Sequence, residues 1–225
     1  MRASTFLVIT LSLLLGVANT QAADCVSSVS SSIEAGTLNG TVLAVQMGAD
    51  AGDERCQFIL GVWLLLGNGV EQDTEAGTRW VRAAAKAGLP IAQSHLGLLY
   101  ASGHGVERDE KTAAQWYRSA AELGDALGQA ALGAVTFLGV GVRKNIVEAY
   151  MWTSLAAAQG IEKARVHLPA IESAMTASQL RRANAKAAEF DPRPIPKKRW
   201  LDPREVRLAF GPQTEYTRYF GWSPP

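Results

Sequence analysis

Two cysteines, three histidines and three glycine-x-glycine turns are the residues of this chain whose types and spacing could do chemistry. Cys25 and Cys56 form an even pair with no CxxC spacing. In an exported chain that pattern favours a structural disulfide over two free thiols. Closing a loop of that size is worth roughly 3–4 kcal/mol in the chain-entropy picture, and the bridge would staple the N-terminal segment to the stretch around Cys56. His95, His104 and His167 read as occupants of unrelated positions, with no carboxylate or cysteine at metal-ligand spacing around them. No metal or other cofactor is expected. The turns Gly67-Asn68-Gly69, Gly103-His104-Gly105 and Gly139-Val140-Gly141 lack the Lys-Ser/Thr that makes a glycine-rich loop a phosphate cradle. Neither HExxH, GxSxG nor SxxK occurs, so metalloprotease, serine-hydrolase and penicillin-recognising chemistries lack their motifs. The expectation is a protein that is not an enzyme.

The elements that carry these residues are set by an internal repeat of 36 residues. Leu60-Gly61 recurs as Leu96-Gly97 and Leu132-Gly133, and the GxGV turn recurs three times in the same phase. Trp80, Trp116 and Trp152 share a column. So do the pairs beginning Ala84, Ala120 and Ala156, the glycines Gly88, Gly124 and Gly160, and the glutamines Gln57, Gln93 and Gln129. Before each GxGV turn the spacing predicts a helix, A. After it, Asp73, Asp109 and Asn145 are placed to cap a second helix, B. The tryptophan and alanines of B fall on one face, which reads as core. One such hairpin cannot bury its own apolar face, but stacked hairpins can. The predicted fold is all-α, a right-handed α-α superhelix of antiparallel helix pairs.

The middle unit, Ala92 to Gly124, resembles the Sel-1-like repeat, a relative of the tetratricopeptide repeat, from Leu96-Gly97-Leu98-Leu99-Tyr100 to Trp116-Tyr117-Arg118-Ser119-Ala120-Ala121. The outer units depart in places: Leu64 and Thr136 stand in the column of Tyr100, Gly77 replaces an alanine, and Cys56 and Gly128 replace Ala92. The resemblance implies an adaptor or regulator. By analogy with tetratricopeptide repeats, it places A helices on a concave binding face. The columns that would face inward are Arg55, Phe58, Val62, Leu65 and Leu66; Ile91, Ser94, Leu98, Ala101 and Ser102; and Leu127, Ala130, Ala134, Phe137 and Leu138. That strip is apolar and almost uncharged, with Phe58, Leu65, Leu98 and Phe137 as anchors.

The flanks complete the layout. Residues 1–22 have the form of a secretory signal peptide: Arg2, an apolar run from Phe6 to Leu15, then small residues before a cleavage position after Ala22. The run is shorter than the ~20 residues of a membrane span, so membrane contact is expected through this peptide alone and the destination is the periplasm or the exterior. Residues 23–54 form a partial unit, with an orphan helix B over 37–51. Residues 55–160 hold the three repeats. Residues 161–190 form a degenerate repeat, with Pro169 placed to end or kink its helix A, and a final helix opened by the capping box Thr176-Ala177-Ser178-Gln179. Residues 191–225 read as an extended tail, rich in proline, aromatics and basic residues.

A formal net charge of +1 over 225 residues offers no field for nucleic acid. An apolar strip of this size should not stand empty in a soluble protein. Its occupant is either a protein or peptide partner or the aromatic tail of this chain, and the two are compatible. Two further readings come from resemblance: a structural accessory of an envelope complex, similar to flagellar-motor accessory proteins and docking through the tail, and a β-lactam-binding protein of the cysteine-rich Sel-1-like kind. The second lacks the cysteine pair expected in every repeat.

Overall fold

The computed structural model describes residues 38–194, 201 and 203–210. The candidate signal peptide, Cys25 and the tail beyond 210 lie outside the described residues. Ten helices and no strand occur among those described: α1 (Leu38–Asp50), α2 (Glu54–Leu66), α3 (Thr74–Lys86), α4 (Pro90–Ser102), α5 (Glu110–Glu122), α6 (Ala126–Leu138), α7 (Ile146–Ala158), α8 (Glu162–Ser173), α9 (Ala177–Ala188) and α10 (Pro203–Phe210). Helices α2, α4 and α6 are the A helices, and α3, α5 and α7 the B helices. Each begins 36 residues after its predecessor in the series. α1 lies one period before α3, the place of the orphan helix B.

Local chemistry explains the phase. Asp73, Asp109 and Asn145 sit in extended backbone, and each side chain accepts the backbone N–H three residues on, at 2.9, 3.0 and 3.2 Å. The GxGV turn then needs its second glycine for space as well as for its positive φ. A Cβ on Gly105 would collide with Thr78 Oγ1 and come within 2.8 Å of Thr74 O, because the turn nests on the first turns of the preceding B helix. The Leu-Gly pair works by the same close fit inside the hairpin: a Cβ on Gly97 would lie 2.6 Å from the Tyr117 ring of α5.

The glutamine column ties each hairpin to the one before it. Gln57 Nε2 donates to Ala49 O, Gln93 Nε2 to Ala85 O and Gln129 Nε2 to Ala121 O, at 3.4, 3.2 and 3.3 Å. In each case a side chain of helix A adds a second donor to a carbonyl in the last turn of the preceding helix B, which already accepts the N–H of Gly52, Gly88 or Gly124. Gln159 Nε2 adds a bond to Gln129 Oε1 at 2.8 Å.

Two expectations are corrected. Pro169 does not end its helix, since α8 runs through it to Ser173. Ala164 and Ile171, buried on either side of the proline, hold the segment against α7 and offset the lost backbone bond. The tail is not extended throughout, because Pro203–Phe210 is helical. Proline is at home in the first turn of a helix, and Val206, Ala209 and Phe210 form an i, i+3, i+4 stripe that packs on α2. The capping box at Thr176 and Gln179 is present, with bonds of 3.2 and 2.8 Å.

Candidate functional site

The A helices stand side by side, α4 against α6 and α6 against α8. Across α2 and α4, Phe58 meets the edge of His95 at 5.0 Å between ring centroids. This row of helices makes three steps, and the first and the third are in opposite states.

The first step, α2 with α4, is filled. Helix α10 lies on it, and its Phe210 packs on Phe58 at 5.9 Å and on His95 at 5.2 Å. Trp63 Nε1 donates to Leu208 O at 2.8 Å, pinning the helix by its backbone. Val206 and Ala209 are buried in the same cluster. His95 holds Ile91 O with Nδ1 at 2.9 Å, and burial pushes its pKa down to about 4, so the ring is neutral and apolar in character near neutral pH.

The third step, α6 with α8, is open. A groove of about 380 Å³ lies there, lined by Leu127, Ala130, Ala131, Ala134, Phe137 and Leu138 of α6 and by Lys163, Ala164, His167, Ala170 and Ile171 of α8, with Thr153 and Ile161 below. Leu138 is 66% exposed at its edge and Val166 of α8 is 64% exposed. Lys144 stands over the Phe137 ring at 5.3 Å.

The repeat explains why one step is full and the other hollow. Phe58, Ile59, Val62 and Leu98 have as their counterparts two periods on Ala130, Ala131, Ala134 and Ala170. Four large side chains have become alanines, and the groove is the space they vacate. The histidines also need a correction. His95 and His167 are 72 residues apart, twice the repeat, so they hold one column on the second helix of each step. His104 stands apart, in a turn.

The predicted inward residues therefore divide. Phe58, Val62 and Ile91 are buried within the chain. Leu65 faces helix B, where a Cβ on Gly77 would approach its Cγ to 2.8 Å. Ser94 is buried beside Asp125, the cap of α6, which accepts the Gly128 N–H at 2.8 Å. Burial raises the Asp125 pKa, against the hydrogen bonds of Gly128 and Ser94. Arg55 lies 3.9 Å from the capping carboxylate of Asp53. Leu98 is half-buried and Ser102 exposed. The third predicted column, Leu127, Ala130, Ala134, Phe137 and Leu138, is the part of the strip that lines the open groove. The contribution of α8 escaped the sequence reading, as did Trp63, which belongs to no tryptophan column. The tryptophan column itself packs on the core, with Trp152 against Phe190 at 5.2 Å.

Cys56 is fully buried in the first turn of α2. Among the described residues no three His, Cys, Asp or Glu cluster to hold a metal ion, and no helix is long and apolar enough to cross a membrane.

A family model described as Sel1 repeat matches residues 55–89, 90–125 and 126–161. A crystal structure of a Sel1 repeat protein from Oxalobacter formigenes is 43% identical over 56% of this chain and 96% of that one, with a TM-score of 0.53. The crystal structure of c5321, a protective antigen present in uropathogenic Escherichia coli strains and displaying an SLR fold, is 30% identical over 68% of this chain, with a TM-score of 0.62. This chain spans about a third of that protein, 32% of its length. No curated protein matches.

Proposed function

The chain belongs to the Sel1 repeat family, and on that premise we propose that it is an exported scaffold whose α6–α8 groove holds an apolar or aromatic segment of a partner protein. Sel1 repeats act in general as protein-binding scaffolds, and the reading assigns this chain no reaction. One observation carries it: an apolar hollow of about 380 Å³ on the A-helix face of a folded solenoid. An apolar cavity of ~150 Å³ takes one benzene ring, so this one has room for two aromatic side chains. Grooves of this shape bind short segments through a few buried anchors.

Export is part of the proposal. It is supported by Arg2, the Phe6–Leu15 run and the small residues before Ala23. A Cys25–Cys56 disulfide is the complementary proposal, supported by the even count and by the buried position of Cys56. Mass spectrometry of the mature chain tests both. The expected product begins at Ala23 and is two hydrogens lighter than the dithiol.

The groove is tested by partner capture after in vivo cross-linking. Ala134 is exposed and lines the groove, so Ala134→Arg should leave helical circular dichroism intact while the captured partner is lost. Undiminished capture by a folded Ala134→Arg chain overturns the groove as the site.

A further inference from the structure

Building on the reading that the α6–α8 groove holds an apolar segment, we propose that its resident occupant is this chain's own C-terminal segment, residues 211–225, seated through Tyr216, Tyr219 and Phe220 beside His167. The partner segment would then enter by displacing it.

The filled step supplies the template. There the occupant presents Val206, Ala209 and Phe210 at i, i+3, i+4, and its aromatic residue packs on His95. Ten residues on, the sequence repeats the spacing as Tyr216, Tyr219 and Phe220, with tyrosines in place of Val206 and Ala209 and the phenylalanine retained. The open step repeats the histidine at His167 and replaces four large wall residues by alanine. In the first step Val206 and Ala209 accompany the ring of Phe210 against large walls, and in the third two tyrosines stand at the places of Val206 and Ala209, matched to small walls.

Position and reach agree. Phe210, the last residue of α10, rests on His95 of α4. Packed helices are 8–10 Å apart, so the α6–α8 groove begins about 12–15 Å away. The five residues from Gly211 to Glu215 span up to about 16–18 Å when extended, which brings Tyr216 to the groove edge. The occupant needs no charged partner: the groove wall is apolar apart from Lys163, Thr153 and His167.

The first experiment puts a photo-reactive benzoylphenylalanine at Phe220 of the full chain. Irradiation should give an intrachain cross-link to α6 or α8 at monomer mass. A cross-link at dimer mass makes a second copy the occupant and overturns the proposal, as does a monomer cross-link that maps elsewhere. The second experiment titrates a fluorescent peptide of residues 212–223 into the full native chain and into the full-length double variant Tyr219→Ser/Phe220→Ser. A tethered segment competes at an effective concentration near millimolar, so the peptide should bind the variant at least about tenfold more tightly. Adding Ala134→Arg to the variant should remove that binding. Equal affinity for native and variant chains overturns the tail as occupant and leaves the groove standing as a peptide site. Binding to neither overturns both.

Discussion

The first and third steps of the A-helix face are built from the same columns of one repeat, yet one is a packed interface and the other a hollow. In the first, Phe58 and His95 meet Phe210 of the α10 helix, Ile59 and Val62 are buried in the same cluster, and Trp63 fixes that helix by a backbone carbonyl. In the third, alanines at 130, 131, 134 and 170 leave about 380 Å³. The backbone of a repeat protein sets where a groove runs. Side-chain volume within each column sets whether that stretch is core or binding surface. A solenoid can therefore devote one end to its own stability and leave the other for a ligand.

Four changes break or sharpen this contrast, the largest first. Phe58→Ala should hollow the first step and cost about 3–5 kcal/mol, since a fully buried ring is lost. Chemical denaturation checks it, and the midpoint should fall with the slope unchanged. Acid attacks the same step through His95. Its folded pKa of about 4 lies below the ordinary value of 6.5, so between those pH values the unfolded chain binds the proton and the folded chain does not. Stability is full above pH 6.5 and declines as pH falls toward 4, by about 3 kcal/mol in all. His95→Gln should flatten that slope in denaturation curves measured between pH 7 and 4. Trp63→Phe removes the donor to Leu208 O and replaces the buried indole by a smaller ring. A loss of about 1–2 kcal/mol is expected from the hydrogen bond and the lost packing together, read as at least roughly fivefold faster amide exchange in α10. The smallest effect on stability should come from Ala130→Phe, which copies the first step's ring into the third. Within about 1 kcal/mol it should leave the melt unchanged, while binding of an apolar dye to the groove is lost.

Most of the helical frame was legible because the repeat states each decision three times. Asp73, Asp109 and Asn145 announce the same cap, and the GxGV turn and Leu-Gly pair fall at the same phase. The orphan helix before the first repeat was legible for the same reason, from Ala49 and Gly52. What escaped had no repetition behind it. The α10 helix is eight residues long, set among prolines, and its stripe of Val206, Ala209 and Phe210 is one turn deep. It is held by Trp63, a residue outside the tryptophan column. Pro169 stood against continuation of α8, and burial of Ala164 and Ile171 outweighed it. The groove was half legible. Its α6 side was on the predicted strip, but its openness lies in a shrinkage of side chains from Phe58 to Ala130 that shows only when the columns are compared for volume. The shared column of His95 and His167 is visible at twice the period and missed at one.

The glutamine ladder has a mechanical consequence for the ligand end. Three rungs, from Gln57, Gln93 and Gln129, bond each helix A to the helix B before it, so that loosening one hairpin loosens a bond in its neighbour. The column ends in Arg165 on α8, which offers no amide for a fourth rung. The groove is thus a hinge-like seam with unequal leaves: α6 is laced into the cooperative body of the solenoid by its glutamine, while α8 lacks that rung. Opening for a bulky occupant would move the unlaced leaf and leave the rest of the array in register.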